Sequence, residues 1–322
     1  MFHPAKVRED LEKARRTYGG RDWPATFADR LTSPLPGFTD VVKMLTSRRS
    51  PAPATIPQAP ASSLPAMAPG QSAVTWVGHA TYVVQIGGLT ILTDPVWSTR
   101  IPGVRPRLAP PGIPLEAIGR IDAVVISHNH YDHLDTPTIR RLDRDTPMLV
   151  PGMLGGFFRQ RDFRHVIELD WWESVSIGGV EFGFTPTHHW SRRGLYDSCK
   201  TLWGGWVFTT PEACVYFAGD TGYGKWFGEI AAHHPHIDVA LLPIGAYEPN
   251  WFMKPVHMNP SEAVRACGDL GARRMATMHW GTFVLSAEPL LEPPALTRSA
   301  WLADGRSRDD LWDLAIGESR VF

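Results

Sequence analysis

The sequence predicts an α/β fold in which two β-sheets lie face to face with helices outside them. Two observations carry that expectation. From residue 74 onward, short runs rich in Val, Ile, Thr and aromatic residues recur between Gly and Pro breaks and are mixed with helix-opening signals. One of these runs, IDAVVIS, is apolar throughout, as a strand buried on both faces must be, and it ends at a cluster of histidines.

Residues 1–50 read as an N-terminal extension, mildly basic, with ten Lys/Arg against six Asp/Glu. Within it Phe38, Val41, Val42 and Leu45 follow helical spacing, with Lys43, Arg48 and Arg49 nearby. The stripe predicts a short amphipathic helix packed on the main domain; the alternative is a helix touching a membrane surface. Residues 51–73 carry no charge and are rich in Pro, Ala and Ser, so they read as a linker or a covering segment. The catalytic domain is expected over residues 74–322.

Within that domain VTWVGHATYVVQI and LTILTDP read as paired strands joined at Gly87-Gly88. Thr136-Pro137 opens a helix, with Thr136 as its cap and Pro137 at its first position. VIELDWW is a strand, and SVSIGGVEFGFTPTHHW is a hairpin turning at Gly178-Gly179. LWGGWVFTT and ACVYFAGD form another hairpin around Pro211, and IDVALLPIG is a buried strand. Asn259-Pro260 opens a second helix that Gly271 ends, and MATMHWGTF is a late strand. A duplication of two halves is conceivable but not demonstrable from residue patterns.

Composition limits the function classes. Apolar residues make up 43% and charged residues 20%, as in a globular protein with a substantial core. A net charge of −1, with no basic tract, gives no general attraction to nucleic acid. Cys199, Cys214 and Cys267 lie far apart and form no CxxC pair, which argues against a disulfide framework or a cysteine zinc site and for a reducing compartment. The opening MFHPAKVRED shows no apolar signal region and no run of about 18 apolar residues follows, so the expected location is cytoplasmic.

The chemistry sits in Ser127-His128-Asn129-His130-Tyr131-Asp132-His133. Four candidate ligands fall within six residues at a strand end, and imidazole and carboxylate are zinc ligands, though neutral His also suits Ni, Cu or Fe. One tetrahedral ion cannot easily use four such close ligands together with distant ones. Two ions fit better, His128 and His130 on one, Asp132 and His133 on the other. Later strand ends offer His188 or His189, Asp220, and His279 as the remaining ligands. No GxSxG elbow, reactive-cysteine signature or Walker A loop competes, so a metal-bound hydroxide is the expected nucleophile.

SHNHYDH matches the HxHxDH signature of the metallo-β-lactamase superfamily. More narrowly, the chain resembles N-acylphosphatidylethanolamine-hydrolysing phospholipase D and its bacterial relatives. VTWVGHAT, LTDPVWS, IDAVVISHNHYDHLD, VIELDWWE, FTPTHHW, LWGGW, FAGDTGY, PIGAYEPNWFMK, HWGTF and ESR match in order over about residues 74–322. The resemblance implies an αββα four-layer sandwich of two mixed sheets flanked by helices. It implies two Zn2+ per chain, the first held by His128, His130 and His189, the second by Asp132, His133 and His279, with Asp220 bridging. His189 is preferred because the family has Gln-His-Trp with its second position ligating; His188 replaces that Gln, so it stays open as ligand or neighbour. Asp94 would orient a ligating histidine, and His257 would meet the substrate phosphate. Asp220, Asp132, His257 and Asp94 are therefore the catalytic candidates. His79 is a further residue that could face the pocket. The Pro/Arg-rich segment 99–115 departs from the relatives.

The implied reaction is hydrolysis of an N-acylphosphatidylethanolamine-like lipid to phosphatidic acid and an N-acylethanolamine. The expected partners are a phospholipid and, through residues 1–50, a membrane surface; a homodimer is compatible with the sequence and nucleic acid is not expected. Trp190, Trp251 and Trp280 lie near ligands and would suit an acyl-chain pocket, or ordinary packing. A lactonase on the same scaffold, a nuclease, and a non-catalytic metal- or lipid-binding protein are the rival readings.

Overall fold

Strict side-chain alternation, with opposite faces buried against different layers, builds the molecule described by this computed structural model over residues 4–46 and 55–322. The first sheet contains β1 (Ala73–Gly78), β2 (Thr81–Ile86), β3 (Leu89–Thr93), β4 (Ala123–Val125), β5 (Met148–Pro151) and β6 (Val166–Leu169). The second contains β7 (Ser174–Ile177), β8 (Val180–Thr185), β9 (Gly205–Thr209), β10 (Cys214–Phe217), β11 (Val239–Pro243), β12 (Arg274–Met278) and β13 (Leu311–Trp312). The last strand, β14 (Ser319–Val321), returns to the first sheet, beside β1.

Strand order is β14-β1-β2-β3-β4-β5-β6 in one seven-stranded sheet and β13-β12-β11-β10-β9-β8-β7 in the other. Each sheet is mixed in the same way. Pairing is antiparallel from β14 to β3 and from β7 to β10, and parallel from β3 to β6 and from β10 to β13. The duplication that residue patterns leave undemonstrated is thus visible in topology.

Val125, Trp76, Tyr82 and Val84 point inward to meet Phe182, Phe184, Trp206 and Phe208 from the facing sheet. Their neighbours Val77, Val83, Val124 and Ile126 point outward, under Ile139, Leu142 and Phe158. Those last three come from or adjoin α3 (Thr136–Arg141) and α4 (Gly155–Arg159), which cover the outside of the first sheet. On the second sheet α5 (Trp226–His233), α7 (Pro260–Asp269) and α8 (Glu292–Ala303) form the outer layer, and α6 (Asn250–Met253) is a single turn near the site. This is the expected four-layer α/β sandwich. No described helix is long and apolar enough to cross a membrane.

Two local expectations change. The run 74–86 is two strands rather than one, because the chain reverses at Gly78 and His79, whose φ values are 124° and 55°. The cap of α3 is Asp135, not Thr136: its carboxylate accepts from Ser98 N at 3.2 Å and from the Thr138 hydroxyl, tying the loop after β3 to the helix start. By contrast α7 opens as expected, with Pro260 at its first position and Asn259 and Glu262 forming a reciprocal capping box around it.

The N-terminal region holds a helix that its polar sequence did not announce, α1 (Pro4–Tyr18), packed on β6 and β7. Leu11 and Ala14 join the main core, and Phe27 is fully buried with its amide donating to Cys199 O at 2.7 Å. Arg21 pairs with Glu173, and Arg30 with Asp170. The helix expected from Phe38 exists as α2 (Phe38–Thr46), with Val42 partly exposed. The side chains of Phe38, Val41 and Leu45, on which its amphipathic stripe rests, lie outside the described residues, as do Arg48 and Arg49. Phe27→Ala should cost about 3–5 kcal/mol of stability in urea denaturation. A loss below about 1 kcal/mol would mean that residues 19–36 are not docked in solution.

Candidate metal centre

All the candidate residues emerge at one edge of the sandwich, beyond the carboxyl ends of strands from both sheets. His79 follows β1, Asp94 follows β3, and residues 128–133 follow β4. From the facing sheet come His189 after β8, Asp220 after β10, His257 after β11 and His279 after β12. Parallel strands point their ends the same way, so residues far apart in sequence meet.

They meet as two clusters. In the first, His130 Nδ1 lies 2.8 Å from His128 Nε2 and 3.3 Å from His189 Nε2. In the second, His133 Nε2 lies 3.5 Å from Asp132 Oδ2, and His279 Nε2 lies 3.6 Å from it. Asp220 spans both. Its Oδ2 is 3.1 Å from His133 Nε2 and 3.9 Å from His189 Nε2, and its Oδ1 is 3.2 Å from His279 Nε2. Tetrahedral ligands about 2.0–2.1 Å from one zinc-sized ion stand ~3.3 Å from each other, which is the spacing seen here.

The outward atoms fix what points inward. His133 Nδ1–H donates to Asp94 Oδ2 at 2.6 Å, and His189 Nδ1–H donates to the Val256 carbonyl at 3.1 Å. His128 Nδ1 contacts Ser127 Oγ at 2.9 Å. Each ring therefore turns its Nε2 lone pair toward the centre. His133 Nε2, His279 Nε2 and Asp220 Oδ1 are buried there with no partner in hydrogen-bonding geometry. An orphaned buried polar atom costs ~1–3 kcal/mol, and several in one place fit a group that accepts lone pairs. The donor set of neutral imidazoles and carboxylates fits a divalent transition metal.

Electrostatics agree. Burial pushes His128 and His189 well below the usual imidazole range and His130 down to about 4, so these rings are neutral and free to donate lone pairs. Burial alone would raise Asp132 and Asp220, yet the imidazoles of His133 and His279 hold both carboxylates well below their usual range. Conversely, burial works against charging His133 and His279, but Asp220 and Asp132 outweigh it, raising His133 well up and His279 to about 9. Two buried carboxylates demand positive charge, and protons supply it only where no cation does.

Asp94 is fully buried, accepting from Ser127 N at 2.7 Å and Ser127 Oγ at 2.5 Å as well as from His133. His188 does not reach the clusters; its ring lies against Gly224 and Trp226, while His189 faces His130. His257 lies at the border, its Nδ1 4.0 Å from Asp220 Oδ2 and its ring against His189 and His279. His79 is more central than its sequence context suggests. Its Nε2 contacts Asp132 Oδ2 at 2.9 Å, its carbonyl accepts from His279 N at 3.1 Å, and its amide donates to Thr282 Oγ1 at 2.7 Å.

Two supporting residues gave no sequence signal, Ser127 and Arg193. Arg193 donates from Nη1 to the carbonyls of Asn129 and Leu134, at 3.1 and 2.8 Å, and from Nη2 to Thr136 Oγ1 at 3.0 Å, so it pins the 128–133 loop. Backbone strain is concentrated here too. Of eight described non-glycine residues with positive φ, His79, Asp94 and His279 lie in the centre. Gly245 is needed for close approach: a Cβ there would stand 2.2 Å from His279 O.

Residues 90–280 match the family model described as the beta-lactamase superfamily domain. An uncharacterised protein of Mycobacterium tuberculosis is 42% identical over 253 residues, covering 73% of this chain and 67% of the relative. N-acyl-phosphatidylethanolamine-hydrolyzing phospholipase D 1 of Caenorhabditis elegans is 38% identical over 240 residues, covering 68% of this chain and 67% of that protein. Among solved structures, a novel metallo hydrolase from the hyperthermophilic archaeon Ignicoccus hospitalis aligns with a TM-score of 0.61 at 25% identity, covering 78% of this chain and 98% of that one.

Two outcomes test the centre. Metal uptake by metal-free protein at pH 7 should release about two protons, from His133 and His279, read by calorimetry in buffers of different ionisation enthalpy. No net proton release would contradict the charge balance. Asp94→Ala, which leaves His133 without its acceptor, should weaken metal retention by about 10–100-fold while circular dichroism is unchanged. Metal content equal to that of the parent protein after dialysis against chelator would remove the orienting role of Asp94.

Proposed function

We propose, from the premise that this chain belongs to the beta-lactamase superfamily and is a metal-dependent hydrolase, that it is a two-zinc phosphodiesterase of phospholipase D type. Its substrate in this reading is an N-acylphosphatidylethanolamine-like lipid, cleaved to phosphatidic acid and an N-acylethanolamine. The observation that carries the reading is an apolar cavity against the first cluster. Its volume is about 260 Å³, it reaches His189, and its walls include Leu31, Leu35, Trp190, Trp251, Phe252 and Val256. A phosphate at the clusters and an acyl chain in that cavity would be adjacent parts of one amphipathic ligand.

In this proposal His128, His130 and His189 hold one ion, Asp132, His133 and His279 hold the other, and Asp220 belongs to both. Bound there, the pair supplies Lewis acidity that neutralises a phosphodiester and activates water for attack. The protein's own share is charge balance and orientation. Two carboxylates against two divalent cations leave a net positive centre, which favours an anionic diester over a neutral ester. Asp94 fixes the ring of His133, and Val256 fixes that of His189, so neither must reorganise during the reaction. Burial pushes His257 down to about 4, leaving its ring neutral at pH 7. It therefore acts as a hydrogen-bond donor to the departing oxygen rather than as a second cation. Membrane contact through residues 1–50, and the division into an extension, a covering segment and a catalytic domain over 74–322, remain parts of the proposal.

The test is turnover of N-acylphosphatidylethanolamine against long-chain acyl-lactones by metal-analysed protein, with the products identified. Release of phosphatidic acid and N-acylethanolamine is expected. Lactone opening without lipid cleavage would replace the phosphodiesterase with a lactonase on the same centre. Asp220→Asn should lower kcat by more than the ~10–100-fold typical when a residue that only supports a ligand is changed, because Asp220 would contact both ions.

A further inference from the structure

The loop between Ser191 and Lys200 leaves the metal centre directly after His189 and Trp190. At its tip Leu195 and Tyr196 are 76% and 86% exposed, more than any other large apolar side chain among the described residues. A slack loop could be expected to fold such a pair inward. This one is held open. Asp197 accepts from Gly194 N at 2.7 Å and from Arg193 N at 3.1 Å, and Arg192 Nε donates to Gly194 O at 2.9 Å. Arg193 anchors the base to the 128–133 loop, and its guanidinium lies 4.1 Å from the ring of half-exposed Tyr131.

The surroundings of the tip are cationic. Arg161 stacks on Phe157 at 3.7 Å, and Arg193 lies 5.6 Å from the same ring. Burial first, and then repulsion from Arg140, lowers Arg161; burial, with Arg161 among the repelling charges, lowers Arg193. Other surface arginines are paired, as Arg21 is with Glu173, Arg159 with Glu168 and Arg164 with Asp145. Arg140, Arg161, Arg192, Arg193 and Lys200 form no ion pair with a carboxylate among the described residues, and Asp197 is occupied with the loop's own amides. An apolar tip whose loop carries Arg192 and Arg193 at its base, with Arg161 over the same Phe157 ring as Arg193, is complementary to a surface that is anionic outside and apolar beneath.

We propose that the 192–197 loop docks this protein on anionic phospholipid bilayers, Leu195 and Tyr196 entering the interface while Arg140, Arg161 and Lys200 meet headgroups. Tyrosine favours the headgroup level of a membrane, and leucine gains by leaving water for the acyl boundary. The inference rests on the phospholipase reading for its purpose, since docking would bring the centre to its lipid, but not for its physics. It places a membrane contact at the rim of the site, separate from the one proposed for the N-terminal extension.

The experiment is flotation of the full chain with vesicles of phosphatidylcholine alone, or of phosphatidylcholine mixed with phosphatidylglycerol. Hydrolysis of the soluble diester bis(p-nitrophenyl) phosphate and metal content are measured in parallel. The parent protein should bind the mixed vesicles more tightly, and less so as salt rises. The double variant Leu195→Ser/Tyr196→Ser should lose about tenfold or more in vesicle affinity. Tyr196→Trp should retain it, and in all variants metal content and soluble-diester hydrolysis should match the parent. Equal binding by the double variant, or no binding by the parent, overturns the proposal. So does a change in self-association of the double variant without a change in vesicle binding, which would assign the tip to a protein contact. Vesicle binding by a parent protein that cleaves no phospholipid leaves the docking standing and removes the phospholipase reading instead.

Discussion

Lone pairs that face one another across about 3 Å inside a protein are unfavourable neighbours unless something positive lies between them. The edge of this sandwich gathers three imidazole nitrogens in one place, and the imidazoles of His133 and His279 with the carboxylates of Asp132 and Asp220 in the next. Burial removes the water that would otherwise satisfy them. The arrangement is stable only with protons or cations at its centre, and the surrounding structure is shaped by that demand. Asp94, Ser127 and the Val256 carbonyl hold the outer atoms of the rings, so that the inner atoms have no other direction to face.

The sandwich supplies the rigidity this requires. Parallel strands flanked by an outer helix layer cannot slide without inverting the alternation that fills two separate cores. His79 and His279 are joined through one backbone hydrogen bond between the sheets, so the seam of the sandwich runs through the site itself. Left-handed backbone at His79, Asp94 and His279 is costly for non-glycine residues and persists because the neighbouring strands over-determine it. The apolar cavity beside His189 adds a wall from residues 31–36, so the N-terminal region contributes to the site as well as to packing.

The sequence is most legible where a site is local. Residues 128–133 can be read directly, because one strand end carries four donors within six positions. His189, Asp220 and His279 each have ordinary alternatives when taken singly; only the resemblance to a known family joins them to the cluster, and the three-dimensional arrangement brings them together. The choice between His188 and His189 is a matter of which face of one turn points inward, and no residue pattern encodes it. His79 can be named from the sequence as a residue that could face the pocket, but not placed, because VTWVGHATYVVQI has the composition of a single strand and only a reversal at Gly78 carries the histidine to the edge. Ser127 and Arg193 act through hydrogen bonds to partners that fold alone brings near. The helix at Pro4–Tyr18 is not legible in the sequence because it buries little more than Leu11 and Ala14, too narrow a stripe to stand out among charges.

Neither cluster is complete on one sheet. His128, His130, Asp132 and His133 come from the first half of the chain, whereas His189, Asp220 and His279 come from the second. A ribosome finishes the 128–133 loop long before it reaches position 279, and at that moment the loop has no partners. A metal taken up at either cluster would therefore follow the stacking of the two halves, as a late seal rather than a nucleus, the reverse of a zinc finger, where the metal organises an otherwise unfolded chain.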